Sequence, residues 1–238
     1  MRVAAVQFRP TKGDKFGALN ALIDFAEQAG RERAELIVMP EMAATGYVFR
    51  DRRAVDMVSE PARGETFAAL APVAKAHRSW IVCGIAERDA DKRFNSAIVI
   101  DPSGVLRFTY RKTMLYELDR TWAEVGDSGY AVFDAVGGRF TVGICMDLND
   151  DRFTGWCETA DARAIAFPTN WLDQGRRIWD YWLGRLERVP SALIAANTWG
   201  VEENVPFRGE SAILDGHVVR GMAPRRGDAL VMADLPRW

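Results

Sequence analysis

Five short segments of this chain are apolar almost throughout: residues 2–8, 34–40, 80–86, 163–168 and 191–196. Each is too short for a helix buried on every side, so each reads as a strand covered on both faces. Helical patterns lie between them. Asp14 can cap a helix running to about Gly30, with Leu19, Leu22, Ile23 and Phe25 on its apolar face. Residues 65–78 give a second, with Phe67, Leu70, Val73 and Ala74 on one side, and residues 176–188 a third, rich in Trp179, Tyr181 and Trp182. Hairpins complete the pattern. Residues 93–100 and 105–111 flank the turn Asp101-Pro102-Ser103-Gly104. Residues 130–135 and 139–145 flank Gly137-Gly138. Residues 210–219, turning at Asp215-Gly216, and 230–235 supply the last strands. Alternating strands and helices predict an α/β fold, and the hairpins predict a mixed sheet or two packed sheets.

Length and charge narrow the function classes. The 238 residues are read as one domain, 1–238, with a core of useful size. A net charge of −2 without a basic patch argues against nucleic acid as a partner. No apolar run reaches the length of a membrane span, and the opening residues read as a first strand rather than a signal peptide. With Cys83, Cys145 and Cys157, at least one cysteine is unpaired within the chain. No CxxC pair points to zinc, and a reducing cytoplasm fits.

Reactive side chains follow three of the strands. Phe140, Val142 and Ile144 alternate towards Cys145, and Asp147, Asn149 and Asp150 come directly after it. Glu41 follows Val38-Met39-Pro40, and Lys112 follows Phe108-Thr109-Tyr110-Arg111. Open α/β sheets bind ligands at the carboxyl ends of strands. A free thiol has a pKa of about 8.5 and needs a base or a cation to act as a nucleophile. A carboxylate can take its proton and pass it to a leaving amine. A lysine and a backbone N–H can hold an oxyanion. A cysteine–histidine pair is the alternative, but His77 and His217 both sit where surface residues are expected.

The segments Met39-Pro40-Glu41, Tyr110-Arg111-Lys112 and Gly143-Ile144-Cys145-Met146-Asp147 resemble, in order and spacing, the Glu–Lys–Cys motifs of the nitrilase superfamily, the carbon–nitrogen hydrolases. Val3-Ala4-Ala5-Val6-Gln7 is similar to that family's first strand, and Phe207-Arg208-Gly209-Glu210-Ser211 to a late segment of it. The resemblance implies an αββα sandwich of two mixed sheets flanked by helices, a thioester intermediate, no metal and a homodimer or higher homo-oligomer. It makes Glu41 the general base, Lys112 the oxyanion stabiliser and Cys145 the nucleophile. The Met146 N–H would assist Lys112. Many relatives carry a second glutamate after the lysine; here Asp119 holds that position and Glu117 competes with it. Asn170 and Trp171, just past a strand, are candidates for facing substrate. Lys112-Thr113-Met114-Leu115-Tyr116 resembles an amidase pattern, while Cys145-Met146-Asp147-Leu148-Asn149 with Thr121-Trp122-Ala123 resembles the branch of protein N-terminal asparagine amidases. The expectation is hydrolysis of a small primary amide to a carboxylate and ammonia. A carbamoyl-amide hydrolase, a nitrile hydrolase, an N-terminal asparagine or glutamine amidase, and a silent binding protein of the same fold remain alternatives.

Overall fold

The computed structural model describes residues 1–236. The chain runs β1 (Arg2–Gln7), α1 (Lys15–Arg31), β2 (Leu36–Val38), α2 (Arg52–Asp56), α3 (Glu65–His77), β3 (Trp80–Asp89), β4 (Lys92–Ile100) and β5 (Leu106–Arg111). It continues with β6 (Val132–Ala135), β7 (Gly138–Val142), α4 (Asp151–Thr159), β8 (Ala164–Thr169), α5 (Ile178–Arg185) and β9 (Ala192–Asn197). It closes with β10 (Trp199–Glu202), β11 (Val205–Arg208), β12 (Ala212–Asp215), β13 (Val218–Met222) and β14 (Ala229–Asp234).

Two six-stranded sheets form, in the orders β14-β1-β2-β3-β4-β5 and β13-β12-β9-β8-β7-β6. Each has three parallel strands at its centre (β1, β2, β3 and β7, β8, β9) and antiparallel strands outside them. The apolar runs are apolar because each strand is covered twice. In β1 and the β2 run, Val3, Ala5, Leu36 and Val38 enter one cluster with Phe140, Val142, Ala166 and Ile194 of the other sheet. Their neighbours Ala4, Val6, Ile37 and Met39 enter a second cluster with Leu22 and Ala26 of α1 and Leu70 of α3. Alternation along each strand therefore feeds two apolar layers at once. On the far side Phe153 of α4 and Trp182 of α5 cover Ile165, Phe167 and Leu193. The layers are α, β, β, α, two mixed sheets flanked by helices. No helix among the described residues is long and apolar enough to cross a membrane.

Several elements differ from the expectations. The strand expected to reach Cys145 ends at Val142, and Cys145–Asn149 is a 3₁₀ turn. Its cause is local: a Cβ on Gly143 would lie 2.4 Å from the Phe153 ring, so the chain bends where only glycine fits. The helix expected over 176–188 is Ile178–Arg185, because Gly175 takes φ +75° and Arg177 stays extended. Helix α4 and the β10–β11 hairpin had no counterpart in the sequence reading. The first lacks a long apolar stripe, and the second forms a two-stranded sheet of its own.

Candidate active site

Glu41, Lys112 and Cys145 come from β2, β5 and β7, at the carboxyl ends of strands that run in the same direction within their sheets. Glu41 turns back over β3, where Gly84 N–H donates to Pro40 O and Ala43 N–H donates to Gly84 O. A Cβ at Gly84 would lie 2.5 Å from Glu41 Cα, so this turn requires glycine beneath it. Farther on, Glu202 of β10 accepts the backbone N–H groups of Tyr47 at 2.9 Å and Val48 at 2.8 Å, fixing the segment after Glu41.

The polar cluster is dry. Lys112 is 0% exposed and Glu41 1%. Lys112 Nζ donates to Glu41 Oε1 at 2.7 Å and to Asp119 Oδ2 at 2.5 Å. Asn95 Nδ2, from β4, donates to the same two carboxylates at 2.7 and 3.1 Å. The second oxygen of Glu41 accepts the Asn170 backbone N–H at 2.8 Å, while Asn170 Nδ2 donates to Glu41 O at 2.8 Å. Burial raises the Glu41 carboxyl above the ordinary range; Lys112 opposes this and Asp119 adds to it. Burial lowers the Lys112 ammonium, but Asp119 and Glu41 outweigh it and hold it well above its usual value.

Cys145 opens its turn with φ +44°, a left-handed backbone that costs a non-glycine residue roughly 1–2 kcal/mol. Its thiol is free and nearly buried. Burial and the charge of Glu41 push the thiol pKa up; Lys112, the Thr169 hydroxyl and the Asn170 N–H pull it down less strongly. The resting residue is therefore a thiol.

Asp147, two residues on, locks this turn to the lysine strand. Its Oδ1 accepts the N–H groups of Thr113 and Met114 and the Thr113 hydroxyl, at 3.0, 2.8 and 3.0 Å. Its Oδ2 accepts Tyr110 OH at 2.8 Å and Ile144 N–H at 2.9 Å.

A cavity of about 280 Å³ opens above Cys145, the size of a small-molecule site. Met146, Asn170 and Trp171 line it, as do Tyr47 and Tyr116. Trp171 is held from behind by Trp182 at 5.6 Å between ring centres, and its backbone N–H donates to Asn197 Oδ1 at 2.9 Å.

Of the residues expected from sequence, Glu41, Lys112, Cys145 and Asp119 form one cluster, and Met146, Asn170 and Trp171 join it at the cavity. Glu117 does not: it is exposed and lies outside the cavity lining, because the turn Asp119–Thr121 brings Asp119 inward instead. Asn170 differs in detail, since its N–H groups hold Glu41. No histidine lines the cavity. His77 Nε2 is 2.9 Å from Glu27 on α1, and His217 is exposed, which removes the cysteine–histidine alternative. Sequence reasoning missed Asn95, Tyr47 and a positioning role for Asp147. Tyr47 carries a phenol raised well above its usual value by burial and by Asp119, and it left no signal beyond an aromatic near Glu41. Asp147 had one, its place two residues after the cysteine.

The comparisons agree with this geometry. The family model of the carbon-nitrogen hydrolases matches residues 2–237. The chain is 33% identical over 171 residues to a nitrilase of Pyrococcus abyssi, covering 71% of this chain and 65% of that one. It is 25% identical over 206 residues to a protein N-terminal amidase of Saccharomyces cerevisiae, covering 73% and 45%. The chain thus spans less than two thirds of the length of these two relatives. Among solved structures it superposes with a TM-score of 0.85 on an amidase from Nesterenkonia sp. AN1, at 20% identity over 99% of this chain and 93% of the other. That structure is a glutamate-to-glutamine variant with acrylamide added at the active-site cysteine. With the family model matching residues 2–237 and the fold shared, the chain belongs to the carbon–nitrogen hydrolases of the nitrilase superfamily.

Proposed function

We propose that the protein hydrolyses a primary amide to a carboxylate and ammonia through a thioester on Cys145. One observation carries this reading: a wholly buried Glu41–Lys112 pair lies behind a thiol at the floor of a small cavity. Glu41, with its raised pKa, takes the thiol proton as Sγ bonds to the amide carbon. The oxygen of the resulting tetrahedral species is held by Lys112 and the Met146 N–H. An ammonium has three protons, and Glu41 and Asp119 engage two of those on Lys112. Met146 stands in the first turn of a helical segment, where amides lack an intrahelical acceptor. Glu41 returns its proton to the nitrogen, the C–N bond breaks and ammonia leaves. Water then attacks the thioester with Glu41 as base. The carbon–sulfur bond breaks, the acid departs and the thiol is restored.

The test is ammonia release from a panel of primary amides, nitriles and carbamoyl compounds, run beside Cys145→Ala. Release from amides that vanishes in the variant, with an acyl adduct on Cys145 by intact mass, is the expected result. Release that persists in Cys145→Ala removes the thiol from the reaction. Release from nitriles or carbamoyl compounds alone would replace the amide.

A further inference from the structure

The charge around the cavity is one-sided. Its walls near Cys145 are aromatic and apolar, but Arg176 and Arg177 line it on the loop between β8 and α5. No carboxylate lines it among the described residues. The acids nearest in the chain are paired: Asp180 holds Arg177 of the lining at 3.2 Å, which leaves Arg176 as the unpaired cation among the described lining residues, and Asp173 pairs with Arg208 at 3.1 Å and with Arg225. Glu41 and Asp119 face Lys112. Arg176 itself has no hydrogen bond or ion pair among the described residues. The N-terminus of α5 also has no side-chain cap, and Arg177 and Ile178 at that end line the same cavity. Its amides add to the positive field there.

A free guanidinium beside a cavity without acids selects by charge. An anionic group on the substrate gains a bidentate partner, and an ammonium meets repulsion with no carboxylate among the described lining residues to offset it. We propose that Arg176 forms an anion subsite, so that the preferred substrates are small amides carrying a carboxylate at the end away from the scissile bond. The inference rests on the amidase reading above. It also separates this chain from enzymes acting on a protein N-terminus, whose substrate brings an ammonium group beside the amide.

The experiment compares kcat/KM for succinamate, succinamide and 4-aminobutanamide, which share a size and carry a negative, a neutral and a positive tail. The wild-type enzyme is expected to favour succinamate over succinamide by about tenfold at low salt, chiefly through KM, as a charge-assisted contact would give. The preference should shrink as ionic strength rises. Arg176→Gln should bring the ratio towards one. Arg176→Glu should turn it in favour of 4-aminobutanamide, an inversion that misfolding cannot produce. A wild-type ratio at or below one, or a ratio unchanged in Arg176→Gln, overturns the subsite. If no amide turns over, the amidase reading fails separately. The subsite is then read by alkylation of Cys145 with iodoacetamide: succinate should slow it in the wild type and not in Arg176→Gln, and equal protection of both would overturn it.

Discussion

Arg111 and Lys112 are neighbours in the chain, both are cations, and both bind several carboxylates, yet they serve different ends. Side chains alternate along a strand, so Tyr110 and Lys112 point between the sheets while Arg111 points to the opposite face. Arg111 donates to Glu87 at 2.7 and 2.9 Å, to Asp89 at 2.6 Å and to Asp127 at 2.8 Å, and it stacks 3.9 Å from the centre of the Phe94 ring. Asp89 and Asp127 are more than half exposed, so that network lies open to solvent. Its guanidinium is a planar fork whose donors are largely used. Lys112 has two partners, neither reached by solvent, and a proton left over. A saturated cation at a wet edge contributes stability. A buried point charge with one free donor beside a thiol can act on a substrate oxygen. The difference lies in burial and in valence, since the charge is the same.

The sharpest way to break this contrast is Lys112→Met. It should lower kcat by about 10²–10³-fold, the usual cost of losing one oxyanion donor. It should also destabilise the fold by roughly 3–5 kcal/mol, because Glu41 and Asp119 would be left buried without a counter-charge. Adding Asp119→Asn to that variant should recover part of the stability and none of the rate. Urea unfolding and steady-state kinetics on the single and double variants separate the two losses. If stability and rate returned together, Lys112 would be structural, as Arg111 is.

Much of this site was legible because chemistry interrupts apolar runs. Glu41 directly follows an apolar run and Lys112 closes a strand, and the layers followed from runs apolar on both faces. What could not be read is the backbone. That Cys145 starts a turn at φ +44° depends on Gly143 passing the Phe153 ring, a contact across 10 residues with no periodicity behind it. The Asn170 contact with Glu41 uses a main-chain N–H, which every non-proline residue has. Asn95 stands beside Ser96 in the polar first half of β4, where nothing in the pattern marks it out; only the fold turns it between two carboxylates. Glu117 and Asp119 lie in an irregular segment, and the tie from the Tyr116 N–H to Asp119 Oδ2 at 3.0 Å decides which points inward.

Arg111→Met should show the converse of the lysine variant. Glu87 is buried and would keep only the Ser96 hydroxyl at 2.5 Å, so a loss of roughly 1–3 kcal/mol is expected. The turnover number should change little, because Arg111 faces away from the cavity. Thermal or urea unfolding measures the first effect and kcat the second. A rate loss comparable to that of Lys112→Met, in enzyme shown to be folded, would mean that the two faces of β5 are coupled.

The smallest effect discriminates most finely. In the proposed mechanism Glu41 must be ionised to take the thiol proton, so activity should be present above its pKa and lost as pH falls through it. That pKa is raised, by burial first and with Asp119 adding to it against Lys112. The acid limb of kcat/KM should therefore lie above the ordinary carboxylate range. Asp119→Asn removes one negative neighbour and leaves Lys112 to Glu41 alone, and both changes favour the ionised form. The limb should move to lower pH in that variant, even if kcat falls only modestly. In Arg111→Met it should stay where it is, since none of the Arg111 partners touches Glu41. A limb that moved equally in both would show that the whole sheet edge sets the Glu41 proton affinity. A limb that moved in neither would mean that burial alone sets it, and that Asp119 serves only to hold the lysine.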